Sequence, residues 1–177
     1  MAEPDDTTIS LAIKGDTLAF DALLRPQLAS AYRVALLLLG DPGEAEDAVQ
    51  EAALRAWTKL RQLRGGPAAF RTWFLRIVVN ECRMARRRPW WAVFRIGAPA
   101  AKVGFGEEET VGRLDLLQAL AALPEVDRTA LFLYYYLDLP IEEVARVIGI
   151  SVRGSKSRIH RALVRLRPGL DLEEPLP

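Results

Sequence analysis

Seven cationic side chains crowd a stretch without a carboxylate: Arg146, Arg153, Lys156, Arg158, Arg161, Arg165 and Arg167 lie between Val144 and Leu170, where neither Asp nor Glu occurs. On a helix such groups do non-covalent chemistry, neutralising phosphates or, as bidentate donors, selecting a guanine edge in a DNA major groove. The residues just upstream would position that helix. Pro140 suits a helix start, and Ile141, Val144, Ala145 and Ile148 recur at helical spacing, which predicts one short helix with an apolar face. Gly149 then marks a sharp turn, and Ser151 is an N-cap for the basic helix that follows. Two helices about a glycine turn, the second cationic, are what a helix-turn-helix offers to DNA; the competing reading is a helical hairpin with a solvated basic face.

Covalent chemistry has little to work with. Cys82 is the only cysteine and His160 the only histidine, so no internal disulfide can form and a zinc site lacks soft ligands. There is no GxxxxGK loop, no recognisable Cys and His pair, and no carboxylate pair in an apolar setting. No catalytic residue, cofactor or metal site is predicted, and the protein is not expected to be an enzyme. The most apolar run, Val34 to Leu39, is far too short to cross a bilayer, and the acidic start is unlike a secretory signal. The expectation is a cytoplasmic protein with no membrane insertion.

Charge is polarised along the chain although the formal net charge is only +1. Up to residue 53 the acids Glu3, Asp5, Asp6, Asp16, Asp21, Asp41, Glu44, Glu46, Asp47 and Glu51 face only Lys14, Arg25 and Arg33. From 71 to 102 the balance reverses, with Arg71, Arg76, Arg83, Arg86, Arg87, Arg88, Arg95 and Lys102 against Glu81. Two kinds of partner follow, one polyanionic and one not. The acidic part centres on a helix opened by Asp41 or Pro42 and running to about Leu63. Its core face is Val49, Ala52, Ala53, Ala56, Leu60 and Leu63, with Glu44, Asp47, Glu51 and Arg55 opposite and Glu51 and Arg55 as an i, i+4 pair. The basic part centres on a helix over 68–88. There Phe70, Trp73, Phe74, Ile77, Val78, Met84 and Ala85 form one face and Thr72, Arg76, Val79, Asn80, Arg83 and Arg87 the other, a surface suited to phosphates and bases.

The remaining elements frame these two. A helix over Thr8 to Lys14 ends at Gly15, and Asp16 caps another from Thr17. Pro26 kinks or restarts that helix, and Leu28 to Leu39 runs on to a stop at Gly40. After Arg88, the stretch from Pro89 to Gly112 loses all period and reads as a linker despite Trp90, Trp91 and Phe94. Helices over Asp115 to Leu123 and Glu125 to Leu137 follow, with Leu131, Phe132 and Tyr135 available to pack beneath the helix-turn-helix. The fold class is all-α: two small helical domains, 7–88 and 113–168, joined by a linker over 89–112 and followed by a tail over 169–177.

Taken together, GDTLAFDALL, GDPGEAEDAVQEAALRAW, FRTWFLRIVVNECRMARRR, LPEVDRTALFLYYYLDLPIEEVARVIGIS and SKSRIHRALVRLR resemble, in order, the blocks of a bacterial sigma factor of the sigma-70 family, extracytoplasmic-function (ECF) group. The resemblance implies a subunit that binds RNA polymerase core, directs promoter recognition and helps melt the duplex. It implies that Glu44, Asp47, Gln50, Glu51, Leu54 and Arg55 dock on the clamp helices of the largest polymerase subunit. Arg64, Phe70, Arg76, Asn80, Arg83 and Arg87 would meet the minus-10 element, and Ser151, Arg153, Ser155, Lys156, Arg158 and Arg161 the minus-35 element. His160 fits the pattern as a backbone or phosphate contact. The family also implies an anti-sigma factor as an inhibitory partner. One departure stands out: Arg153, Gly154 and Ser155 replace a small run that ends in an apolar residue, so that Ser155 would fall at a core position, and glycine costs about 1 kcal/mol in a helix interior, which predicts a shifted or frayed start to the recognition helix. The alternative function is a self-sufficient helix-turn-helix transcriptional regulator.

Overall fold

The computed structural model describes residues 6–87 and 119–166. Every regular element among them is helical, and the chain divides into two compact units, Met1–Gly97 and Ala98–Pro177. The aromatic linker with Trp90, Trp91 and Phe94, the residues Arg88 and Arg167, the start of the helix expected from Asp115 and the tail lie outside the described residues.

In the first unit, α1 (Asp6–Ile13), α2 (Thr17–Leu24), α3 (Leu28–Leu39), α4 (Pro42–Lys59) and α5 (Gly66–Ala85) follow one another. Local chemistry sets most of the boundaries. The Asp16 carboxylate accepts the backbone N–H groups of Leu18 and Ala19, and that of Asp41 accepts from Glu44, each satisfying donors that a helix start leaves open. Gly40 ends α3 in the left-handed region at φ 79°. Pro26 sits in a 3-10 turn, Arg25–Gln27, that joins α2 to α3. Thr17–Leu39 is therefore one helical path of 23 residues, long and apolar enough by length and composition to cross a membrane, unlike the short run that stood out in the sequence. Ala19, Phe20, Leu23, Ala31, Val34, Ala35 and Leu38 from this path are instead buried in the core of the unit.

Helix α5 packs against α1, α3 and α4, and this enclosure overturns its expected two-faced pattern. Thr72 and Val79, placed on the outer face, are buried, while Met84, placed in the core, is exposed. A helix with neighbours on several sides buries a wide arc, which a single apolar stripe understates. Aromatic rings fill much of the space: Phe20 meets Trp57 edge-on at 5.0 Å, and Phe70 stacks on Phe74 at 6.0 Å.

The second unit begins with helical residues at 119–122, followed by α6 (Glu125–Leu131), a π-helical turn (Phe132–Tyr136), α7 (Ile141–Ile148) and α8 (Val152–Leu166). The single helix expected over Glu125 to Leu137 thus changes its winding at Phe132. Phe132 is buried and Leu131 partly so, but Tyr135 points to solvent. Val144, Ala145, Val147 and Ile148 of α7 and Ser155, Ile159, Ala162 and Leu166 of α8 form the buried faces. Between them Gly149, at φ 81°, donates its N–H to the Ala145 carbonyl at 2.9 Å, which closes the turn.

Candidate polymerase and nucleic-acid interfaces

On α4 the exposed residues Asp47, Gln50, Glu51 and Leu54 recur at helical spacing, with the half-buried Glu44 one turn earlier. Ala45, Ala48, Val49, Ala52 and Ala56 occupy the opposite side. Small alanines let α4 lie close to α3 and α5 and turn its anionic side outward. Leu54 is 62% exposed, an apolar side chain within that acidic ridge. Arg55 departs from the sequence expectation. Its Nε donates to Oε1 of the buried Glu81 on α5 at 2.7 Å, so its partner is across the helix interface and not Glu51.

Arg55 therefore belongs to a different surface. Together with Lys59 from α4, Ile77, Asn80, Glu81, Arg83 and Met84 from α5 and Arg87 from the turn after it, it lines an open groove of about 440 Å³. The groove presents cations for phosphates, an amide with donor and acceptor, and two apolar side chains against which a base can lie. Arg76, Asn80 and Met84 are exposed along the outer edge of α5, and Arg87 is exposed in the turn that follows it. Arg64 is exposed in the loop before it. Phe70 leaves the candidate set: at 2% exposure, ringed by Phe20, Trp73 and Phe74, its ring is core and cannot stack on a base. Lys59, Ile77 and Met84 were missed because their contribution comes from two helices meeting.

In the second unit, α8 begins at Val152 with no displacement of its start. The Ser151 hydroxyl accepts the Gly154 N–H at 3.1 Å, so Ser151 spends its side chain on the cap. A Cβ at position 154 would lie 3.1 Å from that Ser151 Oγ, so the glycine leaves room for the cap beside it. Ser155, expected at the DNA, is 0% exposed, and its Oγ is buried without a hydrogen-bond partner. It occupies the core position next to α7. Arg158 is also drawn inward: its Nη1 donates to Asp127 Oδ1 on α6 at 2.8 Å. Arg153, Lys156, Ser157, His160, Arg161 and Val164 are exposed on α8 at steps of three, one, three, one and three, one continuous helical stripe. Arg165 is exposed beside that stripe, 3.5 Å from Asp127 Oδ2. His160, expected as a backbone or phosphate contact, falls within the stripe, and Ser157 is added to it; the period of Ser157 relative to Lys156 and Arg161 was the available signal.

The two units coincide with two family matches. Sigma-70 region 2 matches residues 23–92 and Sigma-70, region 4 matches residues 113–166. The chain is 33% identical over 175 residues to the RNA polymerase sigma-H factor of Pseudomonas aeruginosa, covering 90% of each. It is 30% identical over 171 residues to the ECF RNA polymerase sigma factor SigL of Mycobacterium tuberculosis, covering 94% of this chain and 96% of that one. Among solved structures it is similar to the sigma factor RpoE in complex with the anti-sigma factor NepR from Bartonella quintana, with a TM-score of 0.70 and 25% identity over 85% of this chain and 96% of that one. CnrH in complex with the cytosolic domain of CnrY gives a TM-score of 0.68 at 25% identity, covering 97% and 99%. With both regions present in order on one helical chain, this protein belongs to the ECF group of the sigma-70 family and is an RNA polymerase sigma factor.

Proposed function

We propose that this sigma factor divides promoter recognition among three of its surfaces. The anionic outer side of α4, with Glu44, Asp47, Gln50, Glu51 and the exposed Leu54, holds the clamp helices of the RNA polymerase core. The groove between α4 and α5, with Arg55, Lys59, Asn80, Arg83 and Arg87, together with Arg64 and Arg76, takes the minus-10 element as it opens. Unstacked bases need both an apolar wall and phosphate contacts, and Ile77 and Met84 beside the cations supply that combination. The outward stripe of α8, with Arg153, Lys156, Ser157, His160 and Arg161, reads the minus-35 element. The observation that carries this division is the acid-free stripe on α8, turned outward by a helix whose buried side is Ser155, Ile159, Ala162 and Leu166.

The chain performs no covalent chemistry in this reading, and core polymerase and promoter DNA place its work in the cytoplasm. Both structural neighbours named above are complexes, one of them with an anti-sigma factor, which supports a protein inhibitor as a further partner. Runoff transcription with added core polymerase on a randomised promoter pool tests the whole. Selected start sites with two recurrent upstream elements are expected, and transcription that ignores the added chain would overturn the reading. Replacing Arg83 or Arg87 by Ala should lower the salt slope of promoter binding by about one unit for each phosphate that is no longer neutralised. Replacing Asp47 or Gln50 should weaken polymerase binding and leave DNA contacts unchanged.

A further inference from the structure

The recognition helix is tied to α6 by one buried carboxylate. Asp127 is 3% exposed, and its two oxygens face two different arginines of α8, Arg158 at 2.8 Å and Arg165 at 3.5 Å. Those arginines are seven residues apart, two helical turns, so they share one side of α8. At about 100° per residue that side lies roughly 120° round from the middle of the outward stripe. The apolar contacts of Ile159, Ala162 and Leu166 hold α8 down, but apolar burial is non-directional and sets rotation only loosely. The 2.8 Å charge-assisted hydrogen bond from Arg158 is directional, and the longer Arg165 contact two turns away adds to it.

We propose that Asp127 is a positioning residue for promoter reading: by gripping Arg158, with Arg165 as a second and longer contact, it sets the rotation of α8, and it withdraws the Arg158 guanidinium from DNA. The inference rests on the outward stripe of α8 meeting the minus-35 element. It changes the roles within that surface, because Arg158 then acts through Asp127 and not on a base. Arg153, Lys156 and Arg161 are left as the cations that touch DNA.

The test measures promoter binding by holoenzyme reconstituted from full-length chain and core polymerase, on a promoter with its minus-35 element and on one with that element scrambled, across a salt series. In Arg158→Met the salt slope should be unchanged while discrimination between the two promoters falls. In Lys156→Ala and Arg161→Ala the slope should drop by about 0.9 for each phosphate left without its cation. Asp127→Asn keeps the side-chain shape but loosens its hold on the guanidinium groups. Discrimination should fall roughly five-fold or more, and the slope should steepen by about one unit as a released guanidinium finds a phosphate. A variant that merely weakened folding would not steepen it. The variant carrying both Asp127→Asn and Arg158→Met should discriminate no worse than Asp127→Asn, since coupled residues do not add.

A slope that falls in Arg158→Met as far as in Lys156→Ala makes Arg158 a direct DNA contact and overturns the proposal while sparing the outward stripe. Flat slopes in Lys156→Ala and Arg161→Ala overturn the stripe and the proposal with it. Should Asp127→Asn fail to fold, Arg158→Met, in which Asp127 keeps Arg165, decides the question alone.

Discussion

Arg55 Nε stands 2.7 Å from Glu81 Oε1, joining the helix that carries the acidic ridge to the helix that carries the basic edge. Glu81 is buried while Arg55 is nearly half exposed, so the pair is partly protected from solvent screening. Arg55→Ala is expected to lower the stability of the first unit by about 1–2 kcal/mol, because a hydrogen bond to a charged group is removed. Urea unfolding should show a lower midpoint at unchanged m. The same variant should weaken promoter binding through the groove more than it weakens binding to core polymerase.

Leu54 combines wide exposure with a setting of acids, which fits an apolar anchor at a protein interface. Leu54→Asp should leave the unfolding midpoint within about 0.5 kcal/mol of the parent, as exposed substitutions do. Affinity for core polymerase, followed by fluorescence anisotropy of labelled chain, should fall by roughly thirty-fold or more if Leu54 is a central contact.

Phe70 separates core from contact in the opposite sense. Phe70→Ala should cost about 3–5 kcal/mol, because it leaves a cavity among Phe20, Trp73 and Phe74. Phe70→Leu should cost less and should bind promoter DNA like the parent in holoenzyme. Loss of DNA binding with unchanged stability would return Phe70 to the DNA surface.

Ser155 holds a buried hydroxyl without a partner at the centre of the helix-turn-helix. Ser155→Ala removes that group without adding volume and suits the helix better, so it should stabilise the second unit by about 1 kcal/mol. Calorimetry of the full chain should show the corresponding transition several degrees higher, and minus-35 discrimination should persist. A destabilised Ser155→Ala would mean that the hydroxyl is bonded in solution.

Local chemistry was legible from the residues alone. Asp16 and Asp41 cap their helices, Gly40 and Gly149 adopt the left-handed turns, and Ser151 starts α8, because each depends on atoms within a few residues. Apolar period likewise marked the inner sides of α4 and α7, each of which buries mainly one stripe. Tertiary structure decided what distance in the chain conceals. Arg55 finds Glu81 on the next helix, Arg158 finds Asp127 across 31 residues and Arg165 the same carboxylate across 38. Thr72 and Val79 are enclosed because α5 has neighbours on several sides at once, while Phe70 is buried where its apolar period put it. A sequence period gives one direction per helix, whereas the choice of charge partner and the width of a buried arc depend on which helices meet, and with them which arginines stay exposed.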